Sequence, residues 1–185
     1  MVHVEGERVL AASCLRQPTE GMVVDTQAER ATKAREMVLE LLAADQPDRA
    51  TAHDGDSKFW QWADRTGVTE SRFPGRDTPA PDMSHTAMAV NLDACIHCNL
   101  CVRACREVQS NDVIGMAMRG ADSKIVFDFD DPMGESTCVA CGECVQACPT
   151  GALLPATMVD EAGVGVGAAD KTVDSICPFC GVGCQ

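Results

Sequence analysis

The chain of 185 residues contains no tyrosine, and aromatic residues make up only 4% of it. We therefore expect no large aromatic core. Basic residues are scarce as well, because 15 Lys and Arg stand against 28 Asp and Glu, for a formal charge of −13. The absence of a basic stripe excludes the usual nucleic-acid-binding surface. No apolar run approaches the ~20 residues of a membrane span, so no membrane span is expected.

Cysteine, in contrast, is abundant, at 12 residues. Eight cysteines fall into two runs that share the spacing C-x-x-C-x-x-C-x-x-x-C, and the runs begin 43 residues apart. The first run is Cys95, Cys98, Cys101 and Cys105, and the second is Cys138, Cys141, Cys144 and Cys148. This spacing binds [4Fe–4S] clusters in bacterial-type ferredoxins. It predicts a chain that carries electrons through two such clusters.

The same motif predicts how the cysteines divide between the clusters. In two-cluster ferredoxins the fourth cysteine of each run ligates the other cluster. We therefore assign one cluster to Cys95, Cys98, Cys101 and Cys148, and the second to Cys138, Cys141, Cys144 and Cys105. Pro149 follows the second run as the motif prefers, whereas Arg106 stands at the equivalent position of the first run and favours a helix over 103–108.

Other uses of these residues match the spacing less well. Structural zinc also uses C-x-x-C pairs, but its tetrahedral site does not need the third and fourth cysteines of a run. A disulfide framework needs an oxidising compartment, and no signal peptide is apparent, so we expect a cytoplasmic chain with reduced thiols. His97 lies inside the first run, and we expect it at the surface beside a cluster rather than among its ligands.

Hydrophobic periodicity and turn residues predict the surrounding elements. Before the cysteine runs we expect short strands at 2–4 and 8–12, then a helix that starts with a capping box at Thr26 and Glu29, and a second helix ending near Gly67. The first helix is expected to pack through an apolar stripe of Ala31, Ala34, Met37, Val38, Leu41 and Leu42. Near the runs we expect strands at 90–92 and 125–129 and a strand with a turn at 115–120. Loops or linkers are predicted at 45–57, 72–86 and 161–176.

Both ends of the chain carry cysteines without a full set of partners. Cys177, Cys180 and Cys184 follow the pattern C-x-x-C-x-x-x-C, one ligand short of a cluster site. Cys14 ends a predicted strand and has no cysteine before it, so taken alone it could be an ordinary buried cysteine. We expect both ends to be cut through metal-binding domains.

The stretch 90–117, VNLDACIHCNLCVRACREVQSNDVIGMA, resembles the α subunit of cytoplasmic NAD-dependent formate dehydrogenase. That family is similar over its N-terminal part to the 75-kDa subunit of complex I. Its members have a [2Fe–2S] domain, then two [4Fe–4S] clusters, then a molybdopterin-binding catalytic domain. The resemblance implies that Cys14 is the last ligand of a [2Fe–2S] domain. It also implies that the ending CPFCGVGCQ opens the molybdopterin domain, with Cys177, Cys180 and Cys184 in a further [4Fe–4S] site.

The resemblance implies an α+β chain in five parts. They are the end of a [2Fe–2S] ferredoxin-like domain (1–24), a helical linker region (25–85), a two-cluster ferredoxin-like domain (86–160), a linker (161–176) and the start of a molybdopterin oxidoreductase domain (177–185).

One departure from the family pattern bears on which branch the chain resembles. Complex I subunits carry a His/three-Cys cluster after the first helix, but 45–66 contains His53 and no cysteine. This favours the formate dehydrogenase branch.

The implied function is an electron relay. In this family formate is oxidised at a molybdenum or tungsten bis-pterin centre, and electrons pass through iron–sulfur clusters to a flavin and NAD-binding subunit. We expect no catalytic residue within this chain. Two alternatives remain: a stand-alone ferredoxin-like carrier, and the relay part of another molybdopterin oxidoreductase or of a hydrogenase complex.

Overall fold

The structure is a computed structural model that describes residues 1–77, 79–161, 163–166, 171, 173–176 and 181–183. The predicted cluster site at Cys177, Cys180 and Cys184 lies outside the described residues. The described helices are α1 (Glu29–Ala43), α2 (Lys58–Thr66), α3 (Leu100–Arg103) and α4 (Glu143–Ala147), and the strands are β1 (His3–Val4), β2 (Val24–Asp25), β3 (Met88–Val90), β4 (Ile114–Ala117), β5 (Lys124–Phe127) and β6 (Leu153–Pro155). None of the described helices is long and apolar enough to cross a membrane.

The N-terminal segment forms less sheet than predicted. β1 pairs with β2 in antiparallel register, with Val4 opposite Val24. The predicted strand at 8–12 was wrong, because only Ala11 makes a bridge, to Val2. The backbone groups of a strand need a neighbouring strand to pair with, and this segment has a partner at that one position.

Helix α1 starts without the predicted capping box. Its N-cap is Ala28, and no side chain caps it. Asp25 instead accepts hydrogen bonds from the backbone N–H groups of Gln27 (2.7 Å) and Ala28 (3.1 Å), a local turn that competes with a cap at Thr26. The apolar stripe predicted to pack is largely exposed as well: Ala31 is buried, whereas Val38 and Leu41 are about half exposed.

Two strand pairs hold the cysteine runs. β3 pairs with β6, placing Val90 opposite Leu153, and β4 pairs with β5, placing Ile114 opposite Phe127. The first run lies between β3 and β4, and the second lies between β5 and β6. Each run therefore connects one strand of the β3–β6 pair with one strand of the β4–β5 pair. One apolar core fills the space between them, made of Met88, Val90, Cys101, Val102, Cys105, Val113, Ile114, Ile125, Phe127, Met133, Cys144 and Leu153.

The predicted strands near the runs exist with shifted ends. β3 ends at Val90, two residues before the predicted end, because Asn91 starts a tight turn by accepting from the N–H of Asp93. β5 likewise ends at Phe127 rather than 129. The strand and turn expected at 115–120 correspond to β4 and the turn at Gly120, whose φ is +65°.

Each run leads into a helical segment, and the two segments end differently. After α3 the chain continues through a single π-helical turn, Ala104–Val108, as the absence of a proline predicted. Helix α4 stops at Ala147, because Cys148 before Pro149 is extended.

Segments outside the predicted ferredoxin-like part pack onto it. The His53 side chain is 2% exposed, and its Nδ1 lies 3.2 Å from the carbonyl oxygen of Gly151. Gly165 passes so close that a Cβ there would lie 2.3 Å from the carbonyl oxygen of His53. Gln46 also donates to the carbonyl of Ala94, at 3.2 Å. These contacts join residues on opposite sides of the predicted domain boundaries at 85/86 and 160/161. The boundaries themselves stay predictions.

Candidate iron–sulfur sites

Two cavities inside this fold are lined by cysteine. The cysteines that line the first cavity are Cys95, Cys98, Cys101 and Cys148. Those that line the second are Cys105, Cys138, Cys141 and Cys144. The remaining lining is almost wholly apolar, with residues such as Leu92, Ile125 and Leu153 around the first cavity. Each cavity thus combines three thiols of one run with the fourth thiol of the other.

The two cysteine loops share an unusual backbone. His97 and Ala140, at equivalent positions, have φ of 54° and 57°, and Asn99 and Gly142 have φ of 61° and 76°. The left-handed region costs most non-glycine residues roughly 1–2 kcal/mol, so His97 and Ala140 adopt it against their own preference. Loops of this kind turn successive N–H groups toward a common anionic centre. The N–H of Ala140 is indeed 3.4 Å from the Sγ of Cys138.

The fourth cysteines have different partners. Cys105, in the π-helical turn, is buried and accepts a hydrogen bond from the N–H of Val113 at 3.4 Å. The Sγ of Cys148 lies 3.7 Å from the hydroxyl oxygen of the buried Thr150. Hydrogen bonds to sulfur are one of the means by which proteins set the reduction potentials of clusters. The two sites differ in the group beside the fourth sulfur, which is a backbone N–H in one and a hydroxyl in the other.

The surroundings of the thiols disfavour free thiolates and favour thiolates that are bound to a metal. Burial raises the pKa of the Cys101 and Cys144 thiols to about 12. Burial also raises the pKa of Cys95 and Cys138, while the N–H groups of His97 and Ala140 pull the pKa of those two thiols back down. Buried thiolates need a compensating positive charge, which iron supplies as the protons leave. Four thiols in a mostly apolar chamber therefore fit an iron–sulfur cluster.

A single metal ion fits the arrangement less well. Within the part of the chain that the structure describes, no group of three or more His, Cys, Asp or Glu side chains is placed to hold one ion. The four cysteines of each cavity instead line its walls together with mostly apolar side chains. Cys14 is exposed near the N-terminal strands, and its predicted [2Fe–2S] role stays a prediction.

Two charged residues that the sequence did not predict as part of a site lie beside the cavities. Arg76, in the predicted linker, donates from Nη1 to Nε2 of His97 (2.8 Å) and from Nη2 to the carbonyl of Cys95 (3.2 Å). Asp128 accepts from the N–H (2.6 Å) and hydroxyl (3.0 Å) of Thr137, directly before Cys138. Neither belongs to a spacing motif, so no sequence signal marks them.

His97 is half-buried rather than at the surface. Burial, followed by the neighbouring Arg76 charge, lowers the pKa of His97, so its ring is neutral and accepts the guanidinium hydrogen bond at Nε2. It thus lies beside the first cavity, where its side chain links Arg76 to the cysteine loop.

The geometry agrees with a known family. Residues 88–152 match the family described as a 4Fe-4S dicluster domain. This segment is therefore similar to 4Fe–4S dicluster domains. The match takes in both cysteine runs and the elements β3, α3, β4, β5 and α4, and it ends just before β6.

Longer relatives place the domain among redox enzymes. The chain is 34% identical to the NADP-reducing hydrogenase subunit HndD of Solidesulfovibrio fructosivorans, over 94% of this chain and 30% of that protein. It is 32% identical to a subunit of an NADH-quinone oxidoreductase of Rhizobium meliloti, over 100% of this chain and 22% of that one. A putative formate dehydrogenase of Staphylococcus haemolyticus is 26% identical over 88% of this chain and 17% of its own length.

A solved structure supports the same placement. A crystal structure of NAD+-reducing [NiFe]-hydrogenase in the H2-reduced state superposes with a TM-score of 0.74 and 26% identity, covering 83% of this chain and 66% of that one. The chain spans less than a third of the length of these curated relatives. It is an iron–sulfur electron relay related to subunits of hydrogenase, complex I and putative formate dehydrogenases.

Proposed function

We propose that the chain holds two [4Fe–4S] clusters, one in each cavity, and conducts electrons between them. The first is bound by Cys95, Cys98, Cys101 and Cys148, and the second by Cys138, Cys141, Cys144 and Cys105. The observation that carries this proposal is the sorting of eight thiols into two cavities, with the fourth cysteines exchanged.

The chain's own groups would do three things. The thiols hold the iron, the left-handed loops direct N–H groups at sulfur, and the apolar lining excludes water. Each cluster supplies a centre that takes up and releases an electron without proton chemistry at the protein. Because Cys105 and Cys148 reach across between the runs, the two centres would be held close together by a covalent path of few residues.

For the parent complex we propose the reaction that the C-terminal sequence favours. The resemblance of CPFCGVGCQ and of 90–117 to the formate dehydrogenase family supports a following molybdopterin domain, a further [4Fe–4S] site with Cys177, Cys180 and Cys184, and formate as the electron source. A putative formate dehydrogenase is among the relatives. Electrons would then pass to a flavin and NAD-binding subunit of the same complex, with an upstream [2Fe–2S] site that includes Cys14.

A hydrogenase complex is the second candidate, and a specific observation favours it. HndD, at 34% identity, is a subunit of an NADP-reducing hydrogenase, and the superposed crystal structure is of an NAD+-reducing one. Sequencing the DNA that flanks this reading frame separates the candidates. A downstream pterin domain supports formate oxidation, a downstream hydrogenase domain supports the second candidate, and a stop codon with no adjacent catalytic gene supports a stand-alone carrier.

Paired cysteine variants test the ligand sets. Cys148→Ser is expected to reduce the iron content from about eight to about four per chain and to leave the cluster of the second cavity. Cys105→Ser is the matched variant and is expected to spare the first. The measurement is iron analysis with electron paramagnetic resonance of the reduced protein. If Cys148→Ser removes the signal that Cys105→Ser should remove, the exchange of the fourth cysteines is refuted.

A further inference from the structure

The two cluster cavities are related in backbone geometry but have charges of opposite sign against their cysteine loops. At the first cavity the charged group is the guanidinium of Arg76, whose side chain is only 15% exposed. It hydrogen-bonds the Cys95 carbonyl and the His97 ring, both on the cysteine loop. A charge held this far from water keeps much of its field, because little solvent lies around it to screen it.

At the second cavity the corresponding charge is a carboxylate. Asp128 is half-buried, and both of its oxygens are occupied by Thr137, the residue before Cys138. Ala140 stands where the first loop has His97, so this loop offers no side chain for an arginine to bind. Asp128 is therefore held beside the cysteine loop by two short hydrogen bonds.

Two basic side chains near the cavities are paired with carboxylates, and two half-buried acidic residues, Asp93 and Glu143, stand within two residues of a cysteine of the runs. Arg106 pairs with Asp112 at 2.6 Å, and Lys124 pairs with Asp130 at 2.6 Å. Asp45 lies 3.4 Å from Nε of Arg76 and offsets part of its charge, while the two Nη atoms bond groups of the cysteine loop.

We propose that Arg76 and Asp128 give the two cluster sites different reduction potentials, the first cavity having the higher. Each added electron makes a site more negative, so a nearby positive charge favours the reduced form and a nearby negative charge disfavours it. A single electron that enters the pair therefore leaves the second site oxidised and resides at the first. This inference rests on the two ligand sets proposed above.

The test is a redox titration of the full chain loaded with iron and sulfide under argon, followed by electron paramagnetic resonance. The unmodified chain is expected to show two separate one-electron waves. Arg76→Gln should lower the upper wave alone and Asp128→Asn should raise the lower wave alone. Each change should alter the equilibrium for moving an electron between the sites by roughly tenfold, or about 59 mV for a one-electron couple.

Two further variants separate charge from loop geometry. Arg76→Lys keeps the charge but not the fork of hydrogen bonds, and it should leave the upper wave near its original position. Arg72 lies four residues earlier and pairs with Glu40 in the way that Arg76 pairs with Asp45, yet its guanidinium bonds Glu40 and Met37 rather than a cysteine loop. Arg72→Gln is the matched control and should move neither wave.

Several outcomes would overturn the inference. A single unresolved wave in the unmodified chain, a shift of the lower wave in Arg76→Gln, or an equal shift in Arg76→Lys and Arg76→Gln each contradicts it. If Arg76→Gln does not load, the inference is decided by Asp128→Asn, in which the lower wave must rise. Iron content is measured on every sample. Without about eight iron in the unmodified chain the proposed function itself fails, whereas full iron with unmoved waves refutes only this inference.

Discussion

The turn after Cys148, the last cysteine of the second run, offers a direct test of how the upstream chain packs on residues 88–152. Gly151 has a φ of +76°, and a Cβ added there would lie 2.5 Å from the Cβ of Asp54. The Gly151 carbonyl also lies 3.2 Å from Nδ1 of His53. Substituting Gly151→Ala should therefore push the 50–57 segment away from the first cluster cavity.

The magnitude follows from a matched glycine. Gly67 has nearly the same φ, +71°, but nothing lies within 4 Å of its Cβ position. Gly67→Ala is expected to cost roughly 1–2 kcal/mol for the left-handed backbone alone. Gly151→Ala should cost that amount plus about 1–3 kcal/mol for overpacking against Asp54.

The assay is urea denaturation of the cluster-loaded chain under argon, followed by circular dichroism. With a slope of about 2 kcal/mol per molar urea, the extra contact in Gly151→Ala should lower the midpoint by about 1 M relative to Gly67→Ala. Equal midpoints for the two variants would mean that the 50–57 segment is not seated on the turn after Cys148, and the expected clash with Asp54 would be refuted.

Two other changes follow from buried side chains. Burial lowers the pKa of His53 in the fold. Below the unfolded pKa of about 6.5 the unfolded chain therefore binds a proton more readily than the folded chain, and stability should fall as the pH drops from 7.5 to 5.5. In urea titrations at these two pH values, His53→Asn should reduce this loss of stability, and an unchanged loss would contradict the prediction. Met133 is fully buried whereas Met158 is 49% exposed. In the same assay, Met133→Ala should lower the free energy of unfolding by about 2–5 kcal/mol and Met158→Ala by less than about 1 kcal/mol. Equal losses in the two variants would refute this prediction.

Local pattern was informative where a few adjacent residues decide the structure. The absence of a proline after Cys105 predicted continued helix, and Pro149 marks where α4 has ended. The second helix ends at Thr66 with Gly67 as its cap, close to the predicted end. The capping box at Thr26 failed because a neighbouring side chain, Asp25, binds the same stretch of backbone.

Pattern was less informative where partners come from far along the chain. The strand predicted at 8–12 had suitable residues but found a partner only at Ala11. The apolar stripe of α1 was expected to pack, yet Val38 and Leu41 are about half exposed in the described chain. Periodicity indicates which residues share a face, but it does not say whether another element will cover that face.

The sequence by itself determined the chemistry of this protein, because thiol spacing of C-x-x-C-x-x-C within one loop is a local property that needs no distant contact. Only the tertiary structure decided what surrounds those thiols. Arg76 is 19 residues from Cys95 and His53 is 98 residues from Gly151. Such pairs meet through packing of whole segments, which leaves no mark in local spacing. The charges that distinguish two otherwise similar cavities are therefore visible only in the folded chain.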